Sequence, residues 1–316
     1  MLRAALRWLL SSAALLFVVT ALTFVLVSLA PGDAAKAILS NQSSTYSPEQ
    51  YQQMRHLLGI DQPLPAQYWH WLGNLLHGSL GTDLFSGQSI TDALGERIGP
   101  SLSITLGTVL LSGVVGTGLG VLSARRAGLV GRIVDAAALA GFAVPNFWLA
   151  LLLVELLALK LTVFPPGGYV PLGASVTGWL HSLVLPVATL SAGGVAFVAK
   201  QTRDAMTQVL SAEFVTMLRA RGLSTRSIVI RHALRNAAGP VVTVLGLLLV
   251  SLLSGAVVIE SFFSIPGLGQ QAAYASGTHD LPMITGVAFC FTVLVVAANL
   301  LVDLSYRWLN PKVGDA

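Results

Sequence analysis

Six uncharged, apolar runs divide this chain: Leu9–Ala30, Pro100–Ala124, Ala136–Val154, Ser182–Ala199, Asn236–Ile259 and Leu281–Val302. Crossing a bilayer takes about 20 apolar residues in a helix. Each run meets or approaches that length. In lipid a crossing segment must satisfy its own backbone donors and acceptors, which makes helix the expected state of each. The pattern therefore predicts an all-α polytopic membrane protein with six transmembrane helices, at about 9–30, 100–124, 134–159, 182–199, 236–260 and 281–304. Two of the polar intervals are long, residues 31–99 and 200–236.

Both long intervals carry helix punctuation. In the first, Pro31-Gly32-Asp33 ends the opening helix and Ser47-Pro48-Glu49 starts another, with Ser47 as cap and Pro48 at the first helical position. Gly59 and the run Asp61-Gln62-Pro63-Leu64-Pro65 break it. Gln67 to Leu76, with Tyr68, Trp69, Trp71, Leu72 and Leu75, reads as an amphipathic, interfacial helix. In the second interval Phe214, Met217 and Leu218 share one helical face, Gly222 is a stop, and Ser224 caps a further helix through Leu234.

Inside the apolar runs, Ser112, Gly116 and Gly120 fall on one face and let a neighbouring helix approach closely. Pro145, followed by Asn146, removes a backbone donor near mid-membrane and should kink the third helix, as a hinge or as a packing kink. Pro186, Gly193 and Gly194 loosen the fourth, so it is a candidate moving part, and tight packing explains the glycines equally well. Glu155 and Lys160 sit at the end of the third run, where interfacial solvation suits them better than a proton relay. Asp303 and Arg307 are spaced as a helical pair beside Trp308, an interfacial anchor.

A mean hydropathy of +0.75 with only 10% charged residues agrees with a membrane class. Charge placement orients it. With six crossings, one side receives both termini and the loops near 125–135 and 200–236. That side carries Arg3, Arg7, Arg125, Arg126, Arg132, Lys200, Arg203, Arg219, Arg221, Arg226, Arg231, Arg235, Arg307 and Lys312. Only Lys36, Arg55, Arg97 and Lys160 face the other. The positive-inside rule puts both termini and the 200–236 loop in the cytoplasm and makes 31–99 an external segment. The net charge of +4 reflects this topology and is no sign of nucleic-acid binding. The first run is longer than a cleaved leader's core and no convincing small-x-small site precedes Pro31, so a retained first span is expected. The lone Cys290 rules out an internal disulfide framework.

No Gly-x-x-x-x-Gly-Lys-Ser/Thr loop, His-Glu-x-x-His site or Gly-x-Ser-x-Gly elbow occurs, and the six histidines are scattered. No catalytic residue, cofactor or metal site is expected in this chain.

Several stretches together carry a resemblance: Leu29-Ala30-Pro31-Gly32-Asp33-Ala34, Leu58-Gly59-Ile60-Asp61, Gly78-Ser79-Leu80-Gly81-Thr82, Gly222-Leu223-Ser224, Arg231 to Ala237 with Pro240-Val241, and Glu260 to Gly269. The chain resembles, from Arg3 to Pro311, ABC-importer permeases of the dipeptide/oligopeptide family. The general importer signature begins Glu-Ala-Ala with glycine four residues later. Here Thr216, Met217 and Leu218 stand in the first three positions and only Gly222 matches, while His232 and Arg235 replace a later Ile and Pro. The peptide branch departs from the signature in the same way. The resemblance implies a type I importer permease in the cell (inner) membrane, forming half of a pathway for peptides. Its implied partners are a second homologous permease, two ATPase subunits that carry the ATP and magnesium, and an external solute-binding protein. A cytoplasmic coupling helix is implied too, with Met217, Leu218, Arg219, Ala220, Gly222, Leu223 and Ser224 as the ATPase contact. In that picture Leu218 and Leu223 fill an apolar cleft. Segment 31–99 either receives the binding protein or is a lid on the bundle. Relatives in the resembled family also carry nickel, glutathione and haem-like ligands. A secondary transporter or channel acting alone needs ionisable groups at span centres, which the runs lack. A purely structural membrane subunit is the third reading.

Overall fold

The computed structural model describes residues 2–30, 32–42, 45–125 and 128–309. Pro31, Arg126, Asn310, Pro311 and Lys312 lie outside the described residues, as do the side chains of Arg3, Arg307 and Trp308, and with them the expected Asp303–Arg307 pair. Among the described residues the chain is helical, and its one β-feature is an isolated bridge between Thr82 and Ser89. The helices are α1 (Leu2–Leu29), α2 (Ala34–Gln42), α3 (Pro48–Leu57), α4 (Leu64–Leu76), α5 (Ile90–Arg125), α6 (Leu129–Ala143), α7 (Asn146–Leu153), α8 (Val176–Leu210), α9 (Glu213–Ala220), α10 (Thr225–Ser227), α11 (Leu234–Gly255), α12 (Val257–Phe262), α13 (Leu268–Thr278) and α14 (Leu281–Leu309).

Among the described residues five helical stretches are long and apolar enough to cross a membrane: Leu6–Leu29, Ile90–Arg125, Val176–Leu210, Thr225–Gly255 and Leu281–Ser305. The third expected span is not one kinked helix. It is divided: α6 ends at Ala143, Val144 is extended (φ −84°, ψ 119°), and Pro145 caps α7. A proline ring drives the preceding residue out of the helical region, and here that repulsion ends the helix outright. Beyond α7 the chain widens into a π-helical turn, Val154–Lys160, in which Lys160 Nζ lies 3.3 Å from Glu155 Oε1, both side chains exposed.

The chain forms two compact units, Met1–Ser101 with Pro266–Val296 and Leu102–Ile265 with Ala297–Ala316. In the first, Ser47 closes a capping box with Gln50 and Pro48 opens α3, as the sequence predicts. The expected interfacial helix, α4, lies against α1. Tyr68 and Trp71 are buried beside Phe24, and the Tyr68 hydroxyl sits 3.0 Å from Thr20 Oγ1. Trp69 stays 61% exposed, so the aromatic face is divided between helix packing and surroundings. Two pairings distant in sequence complete the unit. Leu268 N donates to Ser101 Oγ (2.8 Å), and Leu84 N donates to Asp280 Oδ2 (2.9 Å). Asp280 Oδ1 also accepts from Met283 N, capping the first turn of α14.

In the second unit α8 is the central element, with α6, α7 and α11 packed against it. The helix that carries Pro186, Gly193 and Gly194 runs unbroken for 35 residues, with Pro186 buried. Helix α5 meets α8 along Ser112, Gly116 and Gly120. A β-carbon on Gly116 would stand 2.7 Å from Val198 Cβ, and one on Gly120 would stand 2.6 Å from the Ala199 carbonyl oxygen. Ser112 lies opposite Gly194, so the ladder ascends on both helices together and they run parallel. Gly168 N donates to the Phe263 carbonyl (2.7 Å), which seats the Pro165–Gly168 loop on the turn after α12.

Candidate functional site

The expected 200–236 loop is shorter than its polar composition suggests. Charged residues do not end a helix. Lys200 and Asp204 form an i,i+4 pair (2.9 Å) while α8 continues to Leu210. Helix resumes at Thr225, where Ser224 Oγ accepts from Ser227 N, and passes through a π-helical turn, Ile228–Ala233, straight into α11. Only Ser211–Ser224 lies outside the long helices, and α9 fills most of it.

Helix α9 begins with Glu213 in its first turn and carries Arg219 in its last, charges that suit the partial charges of a helix's two ends. It ends in a Schellman motif. Gly222 N donates to the Arg219 carbonyl (2.9 Å) and Leu223 N to the Leu218 carbonyl (3.2 Å). Gly222 takes φ +76°, with open space where a β-carbon would go. Glycine is thus demanded there by backbone conformation alone. This motif brings the residues at the positions of Leu218 and Leu223 together, and both are half-buried.

The apolar side chains of α9 point two ways. Val215 is fully buried, and the helix packs on the 228–233 turn. Under it, Ala205 and Met206 of α8 are clustered with Val229, Ala233 and Ala237. Phe214 and Met217, by contrast, are 37% and 61% exposed. Arg219, Ala220, Arg221, Gly222 and Ser224 are exposed around them. Arg219, Arg221, Arg226, Arg231 and Arg235 take no part in the ion pairs of the described residues. The result is an exposed apolar knob with Arg219 and Arg221 close by in the chain, on a helix packed against the 228–233 turn.

Of the expected contact residues, then, Met217, Arg219, Ala220, Gly222 and Ser224 are on the exposed surface. Leu218 and Leu223 are half-buried at the helix cap. Phe214 is also on the open face, where helical spacing put it beside Met217. Of the expected pathway residues, Pro145 and Asn146 are exposed at the α6–α7 break. Gly193 and Gly194 lie inside the bundle against Gly141 and Ser112, respectively, and none of the five comes together with α9.

A cluster that sequence reading missed ties α6 to α8. Arg203 Nη1 bonds Asp135 Oδ2 and donates to the Gly131 carbonyl (3.3 Å), and Lys200 Nζ stands 3.8 Å from Asp135 Oδ1. Its signal was the i,i+4 spacing of Gly131 and Asp135 against Lys200 and Arg203. Among the described residues no three His, Cys, Asp or Glu side chains gather as metal ligands.

Residues 116–315 match the family described as "Binding-protein-dependent transport system inner membrane component", and residues 1–96 match its N-terminal companion. The chain is 35% identical over 309 residues to a "Probable peptide ABC transporter permease protein" of Sinorhizobium fredii, covering 98% of each. It is 38% identical over 299 residues to a protein of Brucella abortus named as a peptide transport system permease, covering 94% of each. Among solved structures it matches one described as an inward-facing conformation of the MetNI methionine ABC transporter. There the TM-score is 0.55 at 18% identity, over 69% of this chain and 96% of that one, a likeness of fold.

Proposed function

This chain belongs to the family of binding-protein-dependent transport system inner membrane components, and from that premise we propose that it forms half of the pathway of an ATP-driven peptide importer. Membership makes it a multi-pass inner-membrane permease. Peptide is the cargo favoured by the names of full-length relatives. The other half is a second, homologous permease. Two ATPase subunits bind the ATP and magnesium, and an external binding protein delivers the solute. Both termini and α9 face the cytoplasm, and α6 with α7 makes the third of six crossings.

The observation that carries the reading is the two-faced α9. Its outer knob, Phe214 with Met217, enters an apolar cleft of an ATPase subunit, and Arg219 and Arg221 supply the polar rim. Gly222, Leu223 and Ser224 hold the knob at a fixed angle. When ATP draws the ATPase subunits together, α9 is carried with them. Its inner face packs on the 228–233 turn, which in turn packs on α8 and runs into α11, so both long helices follow as stiff bodies and access alternates.

The test is reconstitution of the full assembly in proteoliposomes with a labelled tripeptide. Uptake should require ATP and the binding protein. Met217→Ala with Phe214→Ala should weaken ATPase association about tenfold or more, as for a central interface pair. Solute movement by the chain alone without ATP would establish a secondary transporter instead. Nickel or haem, and no peptide, on the co-purified binding protein would overturn the cargo.

A further inference from the structure

We infer that Asp135 and Arg203 are positioning residues of the transport cycle. They form a clamp through which movement of α9 reaches α6 and swings it about the Val144–Pro145 break. The inference rests on the importer reading above.

Arg203 lies on α8 shortly before that helix ends at Leu210 and hands the chain to α9. Its guanidinium is held by two groups of α6 one turn apart, the Asp135 carboxylate and the Gly131 carbonyl. Lys200, one turn back on α8, faces the same carboxylate at 3.8 Å and is itself held by Asp204. The cradle has a steric condition. A β-carbon on Gly131 would stand 2.6 Å from Arg203 Nη2, so any side chain there displaces the guanidinium. Toward its other end α6 lies close on α8 again, where a β-carbon on Gly141 would be 3.1 Å from Ala196 Cβ.

These two attachments do different work. Apposed small residues resist separation but leave one helix free to slide along the other. A guanidinium nitrogen, Arg203 Nη1, shared between a carboxylate and a carbonyl one turn apart makes directional, charge-assisted bonds and fixes the register along the axis. With both in place α6 must travel with α8. Its other connection is of the opposite kind. At Val144 and Pro145 the backbone is extended on both sides of the junction, and proline supplies no amide hydrogen to bridge it. An element clamped at its start and loosely joined at its end turns when the clamp moves. The position of the break beyond the clamped helix is what makes the ion pair more than a fold stabiliser.

The experiment uses the assembled transporter with Cys290→Ala in this chain and spin labels at Ile133 on α6 and Leu151 on α7, both exposed positions. Label separation is compared without nucleotide and with ATP plus vanadate. A change in separation is expected in the parent assembly. Asp135→Asn should abolish the change with the ATPase subunits still bound. The reversed pair, Asp135→Arg with Arg203→Asp, should restore it, which a variant that merely misfolds would not show. An unchanged response in Asp135→Asn, or no response in the parent, overturns the clamp. Failure of the ATPase subunits to associate with the parent chain is a separate result. It refutes the importer reading and takes the clamp down with it.

Discussion

At Gly222 a single backbone angle fixes how α9 presents its outer face. A proline there cannot adopt φ +76° and has no amide hydrogen for the Arg219 carbonyl. Gly222→Pro should therefore uncouple ATP hydrolysis from uptake while the chain still inserts and assembles. Parallel assays of hydrolysis and labelled-peptide uptake in vesicles check this, and unchanged uptake per ATP would count against the role given to α9. Gly222 was legible in the sequence because glycine after an amphipathic run is a helix stop. The roles of Leu218 and Leu223 were not. Helical spacing says which residues share a face, but not which face the chain itself covers. The Schellman turn leaves Leu218 and Leu223 half-buried, and Phe214 is on the outside.

Between elements, the small residues of α5 set how near α8 can come. Gly116→Leu would place its first carbon 2.7 Å from Val198 Cβ and force the helices apart. Such overpacking costs about 1–3 kcal/mol, read as a lower unfolding temperature of the detergent-purified protein. The same change at Gly118, which has open space, should be nearly silent. The other unit offers a pH dependence. Asp280, just before α14, is buried, and burial pushes its carboxyl up from 3.8 to about 6. The Met283 and Leu84 amides oppose that shift and Asp83 adds to it. A raised acid pKa means the folded state holds the proton more tightly. Its contribution to stability is present below pH 4 and is lost as pH rises through about 6. The shift corresponds to about 3 kcal/mol. Urea unfolding across pH 4–7 should show this loss, and Asp280→Asn should flatten it. Sequence patterning located the long helices well because apolar length is a one-dimensional property. It missed the α6–α7 break because Pro145 announces a disturbance without saying whether the helix bends or ends. The Asp280–Leu84 tie joins residues far apart in the chain, and no local pattern points to it.

Over the whole molecule, the distribution of basic residues predicts orientation through a free-energy bias in insertion. In a Cys290→Ala background, Ser211→Cys should react with a membrane-impermeant maleimide in inside-out vesicles and not in intact cells. Labelling in intact cells would reverse the topology. The class of protein was readable from hydropathy and the family from short motifs. The division into two units was not, because residues 266–296 join the first hundred residues across an intervening domain's length of chain.

The bare outer side of α9 also bears on how much of this protein a cell keeps. A copy synthesised without its engine subunits would carry Phe214 and Met217 uncovered in an aqueous compartment, the kind of greasy protrusion that chaperones grip and quality-control proteases recognise. On the proposed reading, supply of the ATPase partner would then set how long such a copy persists.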